Sequence, residues 1–371
     1  AGRAPRPAQD SLNLKDACNA FLIAKRHRVD TGEITYRQWH EYFKTFEILL
    51  SHFGKTRLVN DLRPGDFARL RGHLARGRGV EFIGNNVQRV RSLLKWLWEN
   101  DHIEKPVKIG SEFRRPSTTM RRRARLARPK RIFSAAEIRA MLELATPAIK
   151  AMIYLGINCG FGNSDCAALP LDALDLAKGI VDFPRPKTAI DRRATVWLET
   201  VEALKAAIEK RPTPKDKAHA GLVFVTKYGG PWVRYADQKA QPAEGQKQTP
   251  HGANINAVGL EFGKLMRKTG IDRDGVGFYA LRHTFETVAG ETGDQPAVNR
   301  IMGHADATMA GIYREWLRDD RENARLRRVT DHVRAWFFAE AKPNTKLETP
   351  AAGQKPAEAE EVDKTSETPV Q

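Results

Sequence analysis

Tyr36, Trp39, Phe43, Phe46, Leu50 and Phe53 recur at steps of three and four, which places them on one face of a helix that Gly54 stops. The same period runs from Leu14 to Leu22, through Phe67, Leu70 and Leu74 behind Pro64, and through Val87, Val90, Leu94 and Leu97. Residues 11–104 are therefore predicted to form a small all-helical domain.

A second pattern begins at "FSAAEIRAML", where Ser134 and Glu137 have capping-box spacing and Phe133 precedes the apolar run. Helices are expected over Pro147 to Cys159, Thr200 to Arg211 and Asn256 to Thr269, the last closing before Gly270. Between them "GIVDF" and "ATVWL" flank "PRPKTAIDRR", a hairpin pattern, and "GLVFV" offers a further strand. Residues 132–340 thus read as a mainly helical domain with a small antiparallel sheet, and 236–252 as an exposed insertion. Residues 105–131 hold eleven Lys or Arg, one acid and three prolines, and are expected to be an unpacked basic linker. Residues 1–10 and 341–371 have little to bury and are expected to be disordered.

The charge narrows the partner. A formal net charge of +17 over 371 residues attracts polyanions, with nucleic acid the first expectation and anionic membrane surfaces or plain solubility its rivals. Arg89, Arg91 and Lys95 on the last N-terminal helix, and Arg121, Arg122 and Arg123 in the basic stretch, are the candidate phosphate contacts; a solvated charged face is the plainer reading of each. Three cysteines with no C-x-x-C pair support neither a disulfide framework nor a thiolate metal site. No apolar run reaches the length of a membrane span, so the expected setting is cytoplasmic, at the nucleoid.

The chemistry concentrates in "YALRHTFETVAGETGDQPAVNRIMGHADATMAGIYREW", residues 279–316. "LRHTF" is followed by "GH" 22 residues after its arginine and by a tyrosine nine residues after that histidine, and a lysine-bearing hairpin lies upstream. With these motifs in this order the chain resembles the tyrosine recombinases, or phage-type integrases, over roughly residues 11–340. The resemblance implies Tyr313 as nucleophile, Arg282 as second arginine, His304 at the His/Trp position and Lys187 as hairpin lysine. It also implies double-stranded DNA as substrate, a homotetramer on two DNA sites with C-terminal segments exchanged between neighbours, and no cofactor or metal. These roles suit the reaction. Attack on a phosphodiester builds negative charge on the non-bridging oxygens, which preorganised cations stabilise most in the transition state.

The chain departs from the family pattern twice. In "CGFGNSDCAAL", Gly162 stands where the first catalytic arginine is found, with Asp165 at the usual acidic position, and Tyr279 stands where His or Lys is frequent. Arg185 lies two residues before Lys187, so an extended hairpin would project both cations to one side and restore the missing charge. Arg192 and Arg193 are weaker candidates, and His283 is read as structural. Two functions are compatible with this set: an active site-specific recombinase, or a catalytically impaired DNA-binding protein of the same fold. A metal-dependent nuclease lacks a clustered acidic ligand set, and a type IB topoisomerase fits "LRHTF" and "MGH" less well.

Overall fold

The computed structural model describes residues 12–235, 254–271, 273–306 and 308–339. The expected disordered ends and the 236–252 insertion lie outside those residues. Four N-terminal helices match the apolar periods: α1 (Leu14–Asp30), α2 (Tyr36–Phe53), α3 (Pro64–Ala75) and α4 (Val80–Glu99). Asn13 and Thr35 accept from the backbone N–H of Asp16 and Gln38 and so cap α1 and α2. Pro64 opens α3, where its missing N–H costs nothing. Phe21, Phe46, Phe67, Val87 and Leu97 meet in one core.

The basic stretch departs from expectation. Phe113 is fully buried in this N-terminal core, Val107 and Ile109 pack against it, and Thr118–Leu126 forms a helix, α5, capped by Ser117. Composition alone hid this, because a few apolar residues spaced among cations can bury while the cations stay outside.

The second core is built by α6 (Ala135–Leu144), α7 (Pro147–Cys159), the short α8 (Asn163–Ala167), α9 (Leu198–Glu209), α10 (Ala257–Lys268), α11 (Ala280–Gly290), α12 (Gln295–Met302) and, after α13 (Met309–Tyr313), which adds no described residue to it, α14 (Asp320–Phe338). The Ser134–Glu137 capping box forms as the spacing predicts. Strands β1 (Leu174–Asp175), β2 (Ile180–Asp182) and β3 (Arg193–Thr195) make an antiparallel sheet in that order, and β4 (Val233–Tyr235) pairs with β5 (Asn254–Asn256). "GLVFV" is not a named strand: it pairs only through a single bridge, Pro170 to Leu222, while Val223, Phe224 and Val225 are buried.

Two contacts fix α7 against its neighbours. A Cβ on Gly156 would lie 2.8 Å from Leu281 Cδ1, so α7 and α11 approach closely because no side chain intervenes. Buried Asn158 donates to the Thr195 carbonyl and accepts from Trp197 N and Thr200 Oγ1, both at 2.8 Å. Its polar atoms are thereby satisfied, and the hairpin strand β3 is tied to α7. Helix α14 packs on its own chain, with Leu326, Val329, Val333 and Phe337 in the second core and the Thr330 carbonyl accepting from Trp197 Nε1. This is the within-chain packing that competes with exchange between neighbours.

Candidate active site

Arg282 sits in the first turn of α11 and is 2% exposed. Its guanidinium donates to the carbonyls of Gly160, at the end of α7, and Met302, at the end of α12, the latter at 2.8 Å. It also lies 2.7 Å from His304 Nε2. An arginine only donates, so His304 Nε2 accepts and the ring proton is on Nδ1, 3.7 Å from a Glu286 oxygen. Burial first, then Arg282, holds His304 below its ordinary value, while Glu286 pulls the other way. His304 is therefore neutral with its basic nitrogen turned into the site.

The β2–β3 hairpin leans on this pair. A Cβ on Gly303 would meet Arg185 Cβ at 3.0 Å and Arg192 Cβ at 3.4 Å, so the glycine of "MGH" admits the hairpin and also takes the left-handed turn ending α12, at φ 62°. Arg185 is half-buried and has no acidic partner among the described residues. Arg282 is lowered to about 10, by burial first and by Arg185 second; it remains a cation at neutral pH.

The expected side-by-side display of Arg185 and Lys187 is not found. Residues 186–188 form a turn, and Thr188 N and Ala189 N both donate to the Arg185 carbonyl. Arg185 is thus fixed at the base of the tip, and Lys187 is exposed on the turn itself. Gly162 is closely enclosed: a Cβ there would meet Asp165 Oδ2 at 3.2 Å and the Tyr279 ring at 3.3 Å. Tyr279 stands at the N-terminus of α11, partly exposed, with its ring against Gly162.

Arg192, a weak candidate from sequence, is the unexpected member. It is 1% exposed, donates from Nε to the Phe183 carbonyl at 2.9 Å and stacks 3.8 Å from the Phe161 ring centroid. Nη1 lies 3.3 Å from Asp165 Oδ1 without hydrogen-bond geometry, and neither Nη atom has a hydrogen-bond partner. Asp165 also accepts from Gly162 N at 2.7 Å, capping α8. The sequence signals were the Gly-x-x-Asp cap and the arginine pair "RR", which periodicity could not connect.

Tyr313, at the end of α13, is 77% exposed, and its hydroxyl bonds no described residue. The chain on either side of it is held: Arg314 pairs with Asp306 at 2.7 Å, and Arg318 with Asp182 at 2.7 Å and Asp191 at 2.8 Å.

Residues 131–318 match the phage integrase family. This chain belongs to that family, the tyrosine recombinases. It is 25% identical over 345 residues to prophage integrase IntR of Escherichia coli (strain K12), which covers 84% of this chain and 79% of that integrase. Its fold is similar to a lambda integrase (75–356) dimer bound to a COC′ core site, with a TM-score of 0.58 at 11% identity over 83% of this chain and 99% of that one. It is similar also to the Tn1549 transposon integrase in complex with transposon right end DNA, with a TM-score of 0.59 at 16% identity over 86% and 99%. The mainly helical integrase fold with small antiparallel sheets is thereby established.

Of the other integrase residues read from sequence, Arg89 pairs with Glu41 at 2.8 Å and Arg91 donates to the Phe113 carbonyl, so both are engaged within the N-terminal domain. Lys95 pairs with Glu99 on an exposed face. Arg121 is partly buried, whereas Arg122 and Arg123 are exposed. Among the described residues no cluster of three or more His, Cys, Asp or Glu is placed to hold a metal ion, and no helix is long and apolar enough to cross a membrane.

Proposed function

We propose that this integrase is an active site-specific recombinase that cuts and rejoins double-stranded DNA through a 3′-phosphotyrosyl intermediate, working at the nucleoid as a homotetramer on two DNA sites. The observation that carries the reading is buried Arg282 bonded to half-buried His304, with Arg185, which has no acidic partner among the described residues, beside them. In the reaction Tyr313 Oη forms a bond to the scissile phosphorus as the bond to the 5′ oxygen breaks. The phenolic proton passes to His304 Nε2, whose lone pair Arg282 releases when it turns to the phosphate. Lys187, on its exposed turn, gives a proton to the leaving 5′ oxygen. Arg282 takes the non-bridging oxygens with its planar fork, and Tyr279 donates its phenol to the same phosphate. The bond energy stays in the phosphotyrosine, so religation needs no other energy source. Residues 11–104 and the exposed cations of the basic stretch grip the flanking duplex.

A rival reading rests on Gly162: a DNA-binding protein of the same fold without cleavage. The test is covalent capture. The protein is incubated with a pool of nicked duplexes of randomised sequence, and adducts that survive denaturing electrophoresis are recovered and sequenced. The parent is expected to form an adduct, and Tyr313→Phe to form none while binding the same duplexes. Lys187→Ala is expected to be slow on ordinary DNA and faster when sulfur replaces the leaving oxygen, since a thiolate leaves without a proton. Binding without adduct in the parent supports the rival.

A further inference from the structure

We propose that the β2–β3 hairpin supplies the guanidinium that the α7–α8 junction lacks: Arg185 contacts the scissile phosphate, and Arg192 is the positioning residue that seats the hairpin. Both roles rest on the recombinase reading.

The junction itself offers no route for a cation. Gly162 has φ −97° and ψ 177°, an extended conformation open to any residue, yet the space beyond its Cα is taken by Asp165 and by the ring of Tyr279. The charge has to enter from another element, and the hairpin is the one that touches Gly303, next to His304.

The two hairpin arginines differ in how they are held. Arg192 is neutralised and enclosed: Asp165 faces its guanidinium, Phe161 and Phe183 lie against it at 3.8 and 5.3 Å, and burial lowers its pKa. A buried charge of this kind is tolerated where it is paired, and it fixes the chain that carries it. Its partner is the acid of the Gly-x-x-Asp cap, so Arg192 locks the hairpin to the junction where the arginine is absent. Arg185 is the reverse case, half-buried with no acid, and its charge acts on both Arg282 and His304, whereas that of Arg192 reaches Arg282 more weakly. Two guanidiniums near each other repel, and an anion bound between them offsets that repulsion. A phosphodiester is such an anion, and a phosphorane carries more negative charge still.

The anchoring is rigid at the needed point. Arg185 N donates to the Ile190 carbonyl at 2.8 Å, Phe183 N to the Arg192 carbonyl at 3.1 Å, and the Arg185 carbonyl takes two N–H groups of the turn. Lys187 is left outside on that turn, free for the leaving oxygen.

The experiment uses a captured duplex made in two forms, with the ordinary scissile phosphodiester or with a methylphosphonate, which replaces one non-bridging oxygen by methyl and removes the negative charge. Arg185→Ala is expected to slow adduct formation about a hundredfold or more on the phosphodiester, and to come within about tenfold of the parent on the methylphosphonate, where one fewer cation is needed. Arg185→Lys, which keeps charge without the fork, is expected between the two. Arg192→Met combined with Asp165→Asn removes the buried pair together, and is expected to slow both substrates by the same factor, as a misplaced hairpin would; thermal melting confirms that each variant is folded. Arg185→Ala cleaving like the parent, or equally slow on both substrates, overturns the proposal. So does methylphosphonate rescue of the Arg192 variant in place of Arg185→Ala. A parent that forms no adduct sinks the recombinase reading itself, a different failure from a parent that cleaves without needing Arg185.

Discussion

Gly162 lies against the ring of Tyr279, where a Cβ would stand 3.3 Å from two ring carbons. The two positions at which the chain departs from the tyrosine-recombinase pattern are therefore one packing arrangement: the ring occupies the space that a side chain at 162 would enter.

That arrangement predicts coupling. Gly162→Arg alone is expected to cost about 1–3 kcal/mol through overpacking, visible as a lower urea midpoint. Adding Tyr279→His, a smaller ring, should return part of it, with an interaction energy of about 0.5–3 kcal/mol in the double-mutant cycle. Simple additivity would show that the two sites are independent.

Gly303 is constrained twice, by its left-handed turn and by the hairpin resting on it. Gly303→Ala is expected to lose about 1–2 kcal/mol from the backbone alone. It should also slow adduct formation in protein shown to be folded, because the displaced hairpin carries Arg185 and Lys187. Folded protein with an unchanged rate would separate the glycine from the site.

The proposed base role of His304 predicts a pH dependence. A base accepts the proton in its neutral form, so the single-turnover rate should rise with pH through a value below the ordinary 6.5. Glu286 raises that value and Arg185 lowers it. Glu286→Gln should therefore move the acid limb to lower pH, and Arg185→Ala to higher pH. A limb that neither variant moves belongs to another group.

Within α5 the three arginines are unequal. Arg121 has its Nε buried and its Nη2 near Thr118 Oγ1, while Arg122 and Arg123 are exposed. Replacing Arg122 and Arg123 with Ala should flatten the slope of log affinity against log salt by about two units, weakening all duplexes alike. Adding Arg121→Ala should change the slope little more. A slope left untouched would place these cations in solvent.

Much of this was legible in the chain because it depends on neighbours in sequence. The 3.6-residue period, the Ser134–Glu137 box, Pro64 at a helix start and Gly54 at a helix end act within a turn or two, so the helices of both cores were readable. The spacing of Arg282, His304 and Tyr313 was readable for the same reason, since α11, α12 and the turn between them fix how far each residue travels. The basic stretch was misread because charge dominates its composition, while the burial of Phe113 depends on a core formed by residues far upstream. Arg192 is no more than a weaker candidate in the sequence, because its value comes from Phe161 and Asp165 on another element and from a glycine at 303 that lets the hairpin close over them. Local spacing is thus enough for most helices and for the family. Which hairpin cation is neutralised and which is left without an acid is settled in three dimensions, because a charge finds its partner through neighbours in space.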